Sequence, residues 1–184
     1  MVVIPTHGLR LLSTEPMKPT NQNQSSVNTN TRHTSPTEIA TAVSEHPFLR
    51  GMAAAHMDLL SKAGTLVDFQ PGDLIFKQGD PAHRFYLILS GSVSLTHAGL
   101  KGNVAVQCLA KGDVLGWSWL FPPYAWHFNA MVTESSRAIA FDAESVRALC
   151  DQNHELGYEL MKRISNVVID RLQKTRQKLS KLSG

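Results

Sequence analysis

The chain has 184 residues, of which 42% are hydrophobic and 18% are charged. This length accommodates one domain with its own core plus terminal extensions, and the composition excludes a chain that is disordered throughout. The formal net charge of +3 at pH 7 comes largely from the C-terminal end, so the rest of the chain is close to neutral.

The cysteines and the hydropathy pattern predict a reduced, cytoplasmic protein. Cys108 and Cys150 fall in apolar stretches at unrelated positions, which argues against a disulfide framework or a Cys-x-x-Cys metal site. The apolar start, Met1 to Leu12, is too interrupted for a signal peptide. No later stretch reaches the roughly 18 apolar residues that a membrane-spanning helix needs.

Residues 1–44 are predicted to be a disordered, low-complexity tail. Asn, Gln, Ser, Thr and Pro dominate from Ser13 to about Thr41, and such a segment has little to bury. A partner-binding arm and an early start codon are the alternatives. A helical lead-in follows, ending at Gly64, in which five apolar side chains can share one side: Phe48, Leu49, Met52, Leu59 and Leu60.

Short apolar runs of strand length follow, separated by turns at Gly79, Gly91 and Gly112, where glycine permits a positive φ. Many short strands at close spacing predict a mainly β fold with flanking helices, an antiparallel β-roll of the jelly-roll or cupin-like kind over residues 45–152. The predicted runs are 66–69, 74–76, 85–89, 93–95, 104–109 and 129–142.

The chain reverts to helix at its end. Asp142 or Ser145 can cap a short helix, and a long helix with a basic end is predicted over residues 153–184. Its apolar residues step by three and four, which suits either packing on the roll or pairing with a second copy. The basic end is read as a solvated face, with nucleic-acid contact as the alternative. The stripe comprises Leu160, Ile164, Val168, Leu172 and Leu179.

Two stretches, Ile75 to Val93 and Lys111 to Gly116, carry a family resemblance. The first contains Lys77-Gln78-Gly79-Asp80 and Ser90-Gly91-Ser92, and the second reads Lys-Gly-Asp-Val-Leu-Gly. They resemble the cyclic-nucleotide-binding domain of the catabolite activator and Fnr superfamily, over about Pro47 to Leu179. The resemblance implies a phosphate-binding cassette at Gly116 to Leu120, a tight turn and short helix whose backbone N–H groups face a cyclic phosphate.

The chain departs from the family at the two side chains that usually hold the nucleotide. The glutamate position, which commonly binds the ribose hydroxyl, falls on Trp117, and the arginine position, which pairs with the phosphate, falls on His127 or Phe128. Charge-assisted hydrogen bonds contribute about 1.5–3 kcal/mol each, so losing both weakens affinity by roughly 10²- to 10⁴-fold. We expect weak binding of cyclic AMP and cyclic GMP, and no required cofactor.

All three tryptophans of the chain lie between Gly116 and Phe128. Aromatic side chains at this density either fill the pocket or line it as a stacking surface for a purine, a planar metabolite or an apolar effector. The predicted ligand-binding residues are Gly116, Trp117, Ser118, Trp119, Leu120, His127, Phe128 and Asn129. Arg137 is a second candidate for contact with an anion, although its place on a strand favours a surface role.

The function predicted from these features is a non-enzymatic regulatory sensor that signals through the C-terminal helix, to a second copy or a partner protein. The alternative is a scaffold whose pocket is filled by aromatic side chains.

No metal or catalytic site is expected, because His-x-His and Gly-x-Ser-x-Gly spacings are missing. Haem binding through His97, His127 or His154 is a minor alternative. Too few residues follow the long helix for a helix-turn-helix, so we expect no sequence-specific DNA binding by this chain alone.

Overall fold

The computed structural model describes residues 35–99 and 102–182. The predicted tail over 1–34 and the side chain of Leu179 lie outside this part of the chain. Helices and strands follow in the order α1 Pro36–Glu45, a 3₁₀ turn Pro47–Leu49, α2 Ala54–Ala63, β1 Gly64–Phe69, β2 Leu74–Phe76, β3 Arg84–Gly99, β4 Gly102–Ala110, β5 Val114–Leu115, a second 3₁₀ turn Trp117–Leu120, β6 Asn129–Asp142, α3 Ala143–Gln152 and α4 His154–Leu182.

The strands form one antiparallel sheet, in which β1, β6, β3 and β4 are neighbours in that order. Strand β2 also pairs with β6, and β5 pairs with β3. The long strands β3 and β6 are paired along most of their length, from Arg84 opposite Asp142 to Thr96 opposite Asn129. The predicted antiparallel roll with flanking helices is confirmed.

Alternation along the central strands creates two apolar layers. Phe85 and Leu87 of β3 lie in one buried cluster with Ile139 and Phe141 of β6, and the helices α2, α3 and α4 contribute to it. The intervening residues, including Tyr86 and Ile88, form a second cluster with Phe69, Leu95, Leu109 and Ala138. Because successive side chains of a strand point to opposite faces, the first layer meets the helices and the second fills the roll.

The prediction of a turn at Gly91 is wrong. Strand β3 continues through this residue, with register shifts against β6 between Ile88 and Val93. Gly91 has a φ of 80°, as expected, and a Cβ there would lie 2.3 Å from the carbonyl oxygen of Ser135. Glycine is therefore required for a bulge at a close approach of two strands, and not for a reversal of the chain.

The predicted tail is wrong over residues 36–44, which are helical. Ser35 caps α1, since its side chain accepts a hydrogen bond of 3.2 Å from the Glu38 N–H, and Pro36 occupies the first helical position. Val43 anchors the helix, because it is completely buried in the layer that meets the helices. A single buried apolar residue in a ten-residue segment rich in Thr, Ser and Glu gives no periodic pattern from which a helix could be predicted.

The predicted lead-in is two separate elements. The 3₁₀ turn ends at Leu49 and α2 begins at Ala54, so the chain turns between them at Gly51, whose φ is 75°. Leu49 and Leu60 nevertheless contribute to the same buried layer, as expected.

The apolar stripe of α4 divides into two parts. Leu160 and Ile164 are buried against the core and Val168 is partly buried there, whereas Leu172 is 58% exposed. The first half of the stripe therefore packs on the roll. No helix in the described part of the chain is long and apolar enough to cross a membrane.

Candidate functional site

The segment from Val114 to Asn129 is a turn, a short helix and a loop that leave and re-enter the sheet. Strand β5 pairs with Tyr86 and Leu87 of β3. Gly116 then adopts a left-handed conformation, with a φ of 91°, and starts the 3₁₀ turn Trp117–Leu120. The tight turn and short helix expected from the resemblance are present, and we call residues 114–128 the aromatic cassette.

Trp126 occupies the space next to Gly116. Its side chain is 6% exposed and stacks on Phe76 of β2, with ring centroids 3.8 Å apart and planes 8° apart. A Cβ placed on Gly116 would lie 2.5 Å from the Trp126 ring. The loop that carries Trp126 is held in place by two backbone hydrogen bonds, from the Gly79 N–H to the Trp126 carbonyl at 2.8 Å and from the Trp126 N–H to the Asp80 carbonyl at 2.9 Å.

The remaining cavity at this place is very small. It has a volume of about 10 Å³ and is lined by Gly116, Ser118, Trp126, His127 and Arg171 among others. This volume holds no more than about one water molecule, whereas pockets for small ligands occupy roughly 300–1,000 Å³. The aromatic cassette is therefore closed in this conformation.

A second group of predicted residues meets at the rim of the cassette. Ser118 Oγ and His127 Nδ1 share a hydrogen bond of 2.9 Å, and the His127 ring stacks on Trp117 with centroids 5.3 Å apart. Trp117 also contacts the edge of Phe121. His127 is exposed while Ser118 is buried, so this cluster covers the outside of the cassette.

Trp119 points the other way, into the core below the helices. It is fully buried and stacks on Phe85, which in turn stacks on Phe141. Its indole Nε1–H has no hydrogen-bond partner in the described part of the chain. Trp119 thus serves as packing for the main apolar layer, and Leu120 packs partly buried against the same layer.

The last two predicted residues support the fold around the cassette. Asn129 Oδ1 accepts a hydrogen bond of 2.9 Å from the Gln78 backbone N–H and so braces the turn at Gly79. Phe128 packs partly buried against the interior of the roll. The structure therefore brings Trp117, Ser118 and His127 together but separates them from Trp119 and Asn129.

Two arginines from the C-terminal helices contact the cassette, one at its start and one in its middle. Arg171 of α4 donates a hydrogen bond to the Val114 carbonyl at its start. Arg147 of α3 donates to the Trp119 carbonyl at 2.8 Å and lies over the Tyr124 ring, 4.7 Å from its centroid. The solvated-face prediction for the basic end is wrong for Arg171, whose side chain is partly buried.

Sequence reasoning missed Arg147, Arg171 and Phe76, and left Trp126 out of the predicted site. Trp126 belongs to the same aromatic run as the predicted ligand-binding residues, so the sequence provided no reason to leave it out. The two arginines carried no signal, because a basic residue on a helix looks alike in sequence whether it meets solvent or a backbone carbonyl.

The other candidate anion partner, Arg137, lies away from the cassette. Arg137 forms ion pairs with Glu38 of α1 at 2.8 Å and Asp68 of β1 at 3.6 Å, at the surface. It lines a larger groove of about 670 Å³ beneath α1, whose lining residues do not include Trp117, Trp126 or His127. Among the described residues, no group of three or more His, Cys, Asp and Glu side chains is placed to hold a metal ion.

The comparisons with known proteins agree with the fold. Residues 66–153 match the family model of the cyclic nucleotide-binding domain. A CRP-like cAMP-activated global transcriptional regulator of Mycobacterium tuberculosis is 25% identical over 136 residues, which are 73% of this chain and 59% of that protein. The chain therefore spans less than two thirds of the length of this curated relative.

Two solved structures have the same architecture. A cyclic nucleotide-binding domain from Methylobacillus flagellatus has a TM-score of 0.66 at 14% identity, covering 78% of this chain and 81% of that chain. The catabolite activator protein of Thermus thermophilus has a TM-score of 0.60 at 25% identity, covering 74% and 63%. The resemblance predicted from the glycine turns is confirmed, and residues 66–153 belong to the cyclic nucleotide-binding domain family.

Proposed function

We propose that this chain is a non-enzymatic, cytoplasmic regulatory module whose aromatic cassette is closed by its own side chains, so that it binds cyclic AMP and cyclic GMP weakly. The observation that carries the proposal is the Trp126 ring, which stacks on Phe76 and leaves about 10 Å³ of free volume beside Gly116. A nucleotide must displace this ring before it can reach the backbone of the 3₁₀ turn.

The residues at the rim of the cassette also lower the expected affinity for cyclic nucleotides. The two positions at which family members commonly carry a glutamate and an arginine hold Trp117 and His127 or Phe128. Trp117 and His127 stack on each other, and Ser118 bonds to His127. None of these groups offers a carboxylate to a ribose hydroxyl, and an imidazole ring lacks the planar fork of donors with which a guanidinium binds a phosphate through two hydrogen bonds.

A regulatory role is supported by the name of one relative and by the family model. The Mycobacterium tuberculosis relative is a transcriptional regulator by name, and the family model describes a binding domain. A cytoplasmic location fits the two cysteines, which are free and which a reducing compartment would keep unpaired.

The output is assigned to α4, through pairing with a second copy of the chain. Large apolar side chains remain exposed along one side of this helix, with Tyr158 71%, Met161 46%, Ile169 50% and Leu172 58% exposed. Their spacing places them on a stripe that continues past the part of the helix packed on the roll, and such stripes are typical of helix pairing. Light scattering with size-exclusion chromatography on the Leu172→Glu variant tests this assignment, since a dimer should become a monomer.

The cassette proposal is tested by ligand-induced thermal shifts. We expect millimolar cyclic AMP or cyclic GMP to leave the Tm of the wild-type chain nearly unchanged, because bound ligand stabilises by an amount that grows with its concentration relative to Kd. We expect indole to raise the Tm of Trp126→Ala, since an apolar cavity of aromatic size binds apolar rings. The Trp117→Ala variant is the matched control, because Trp117 lies at the rim and its removal opens no enclosed space.

The two functional hypotheses give different results. A Tm increase of several degrees with micromolar cyclic nucleotide in the wild-type chain would contradict the closed cassette and favour a nucleotide sensor. An unchanged Tm for Trp126→Ala with indole would show that Trp126 does not fill a ligand-sized space.

A further inference from the structure

We propose that Arg171 is a positioning residue that ties the docked position of α4 to the closed form of the aromatic cassette. The inference rests on the proposed function, because it concerns how a closed cassette is coupled to the helix that carries the output.

Arg171 contacts the cassette where its backbone leaves the sheet. The guanidinium donates a hydrogen bond to the Val114 carbonyl, two residues before Gly116. Leu115, Gly116 and Trp126 line the small remaining cavity, and Arg171 lines it as well. One side chain of α4 therefore touches both the start of the cassette and the wall that Trp126 closes.

The environment of the guanidinium makes this contact costly to break. Burial lowers the pKa of Arg171 to about 10, and the nearby Asp113 carboxylate opposes that shift. The group therefore keeps its charge at neutral pH. A partly buried charge that loses its acceptor is strongly unfavourable, so Val114 cannot move away unless α4 moves with it or the guanidinium finds solvent.

The position of Arg171 along α4 makes its contribution important. Ile164 is fully buried, but Val167 and Val168 are only partly buried and Ile169 is 50% exposed. Apolar contact with the roll thus weakens along the helix, and Arg171 provides a polar attachment in the region where it does. Two arrangements are consistent with this geometry, one with the cassette closed and α4 docked, the other with the cassette open and this part of α4 released.

The test compares Arg171→Gln with Arg176→Gln in the full chain. Arg176 is exposed on the same helix and serves as the matched control. The three tryptophans all lie in the cassette, but Trp119 also packs in the layer beneath the helices. Acrylamide quenching of tryptophan fluorescence is therefore measured in a Trp119→Phe background, in which it reports on Trp117 and Trp126. Amide hydrogen exchange over residues 165–177 reports on α4.

We expect Arg171→Gln to increase the quenching constant and to accelerate exchange in α4 by roughly ten- to hundredfold, the effect of losing one charged hydrogen bond on a local opening equilibrium. Arg176→Gln should leave both readouts unchanged. Arg171→Lys keeps the charge and a donor and should fall between the wild type and Arg171→Gln. This milder variant keeps the test decisive if Arg171→Gln does not fold.

The coupling must also operate in the opposite direction. Opening the cassette with Trp126→Ala should accelerate exchange over residues 165–177, since coupling between two sites is reciprocal. The proposal is overturned if Arg171→Gln and Arg171→Lys change α4 without changing the quenching, or if the effect of Trp126→Ala stays within the cassette. None of these measurements contains a nucleotide, so tight binding of cyclic AMP would contradict the proposed function and leave this result standing.

Discussion

Because Trp126 lies close to Gly116, adding a single methyl group at position 116 should lower the free energy of unfolding by an unusually large amount. In Gly116→Ala the new Cβ would lie 2.5 and 2.7 Å from two atoms of the Trp126 ring, and φ is 91°. Gly79 provides the matched control. Its φ is 89°, and a Cβ there would meet nothing within 4 Å.

The two substitutions share one cost and differ in another. A side chain in the left-handed region costs about 1–2 kcal/mol at either position. Only at position 116 must the Trp126 ring also shift in a packed site, which adds roughly 1–3 kcal/mol. We therefore expect the free energy of unfolding to fall by about 2–5 kcal/mol in Gly116→Ala and by about 1–2 kcal/mol in Gly79→Ala.

Urea denaturation of the two single variants measures the difference, and a double-mutant cycle with Trp126→Ala assigns its cause. In the Trp126→Ala background the added methyl group meets space, so Gly116→Ala should cost no more than Gly79→Ala. Equal costs for both glycines in the wild-type background would refute the reasoning, because the ring would then not be pressed against Gly116.

Two further predictions concern stability and pH. Burial lowers the pKa of His46 below its ordinary value of 6.5, and its Nδ1 accepts the Phe48 N–H while Nε2 donates to the Ile88 carbonyl. The folded chain therefore binds the proton less readily than the unfolded chain, and stability should fall as pH decreases through about 6.5. Urea midpoints at about pH 7.5 and 5.5 should differ less in His46→Gln, and an unchanged slope would contradict this role. Along α4, Ile164→Ala should lower the free energy of unfolding by about 2–5 kcal/mol, whereas Leu172→Ala should lower that of a dilute monomer by less than about 0.5 kcal/mol. Thermal or urea unfolding at low concentration distinguishes the two, and similar losses would show that Leu172 also packs on the roll.

The sheet was predictable because its information is local. Strand β2 and strand β6 have the predicted bounds, and the alternation of Phe85, Leu87 and their neighbours needs only a period of two. Helix α1 was not predictable in the same way. Its Thr- and Ser-rich sequence buries Val43 through contact with a layer built from residues much later in the chain, and composition contains no record of that contact.

The candidate site shows the same division. The aromatic run could be recognised from the residues themselves, and the family resemblance implied a tight turn at Gly116. Which ring would close the cassette could not, because Trp117, Trp119 and Trp126 are equivalent in a sequence. Their destinations depend on Phe76, Phe85 and His127, each on a different segment.

By itself, the sequence predicted the β-roll and, through the family resemblance, a tight turn at Gly116 and the replacement of the two side chains that commonly hold the nucleotide. Only the tertiary structure decided that Trp126 fills the space beside Gly116 and that Arg171 reaches back from α4 to the Val114 carbonyl. The physical reason is the distance along the chain between the groups that interact. Backbone conformation and strand periodicity are set by neighbours in the chain, whereas packing and the pairing of a buried charge are set by groups that meet only after folding.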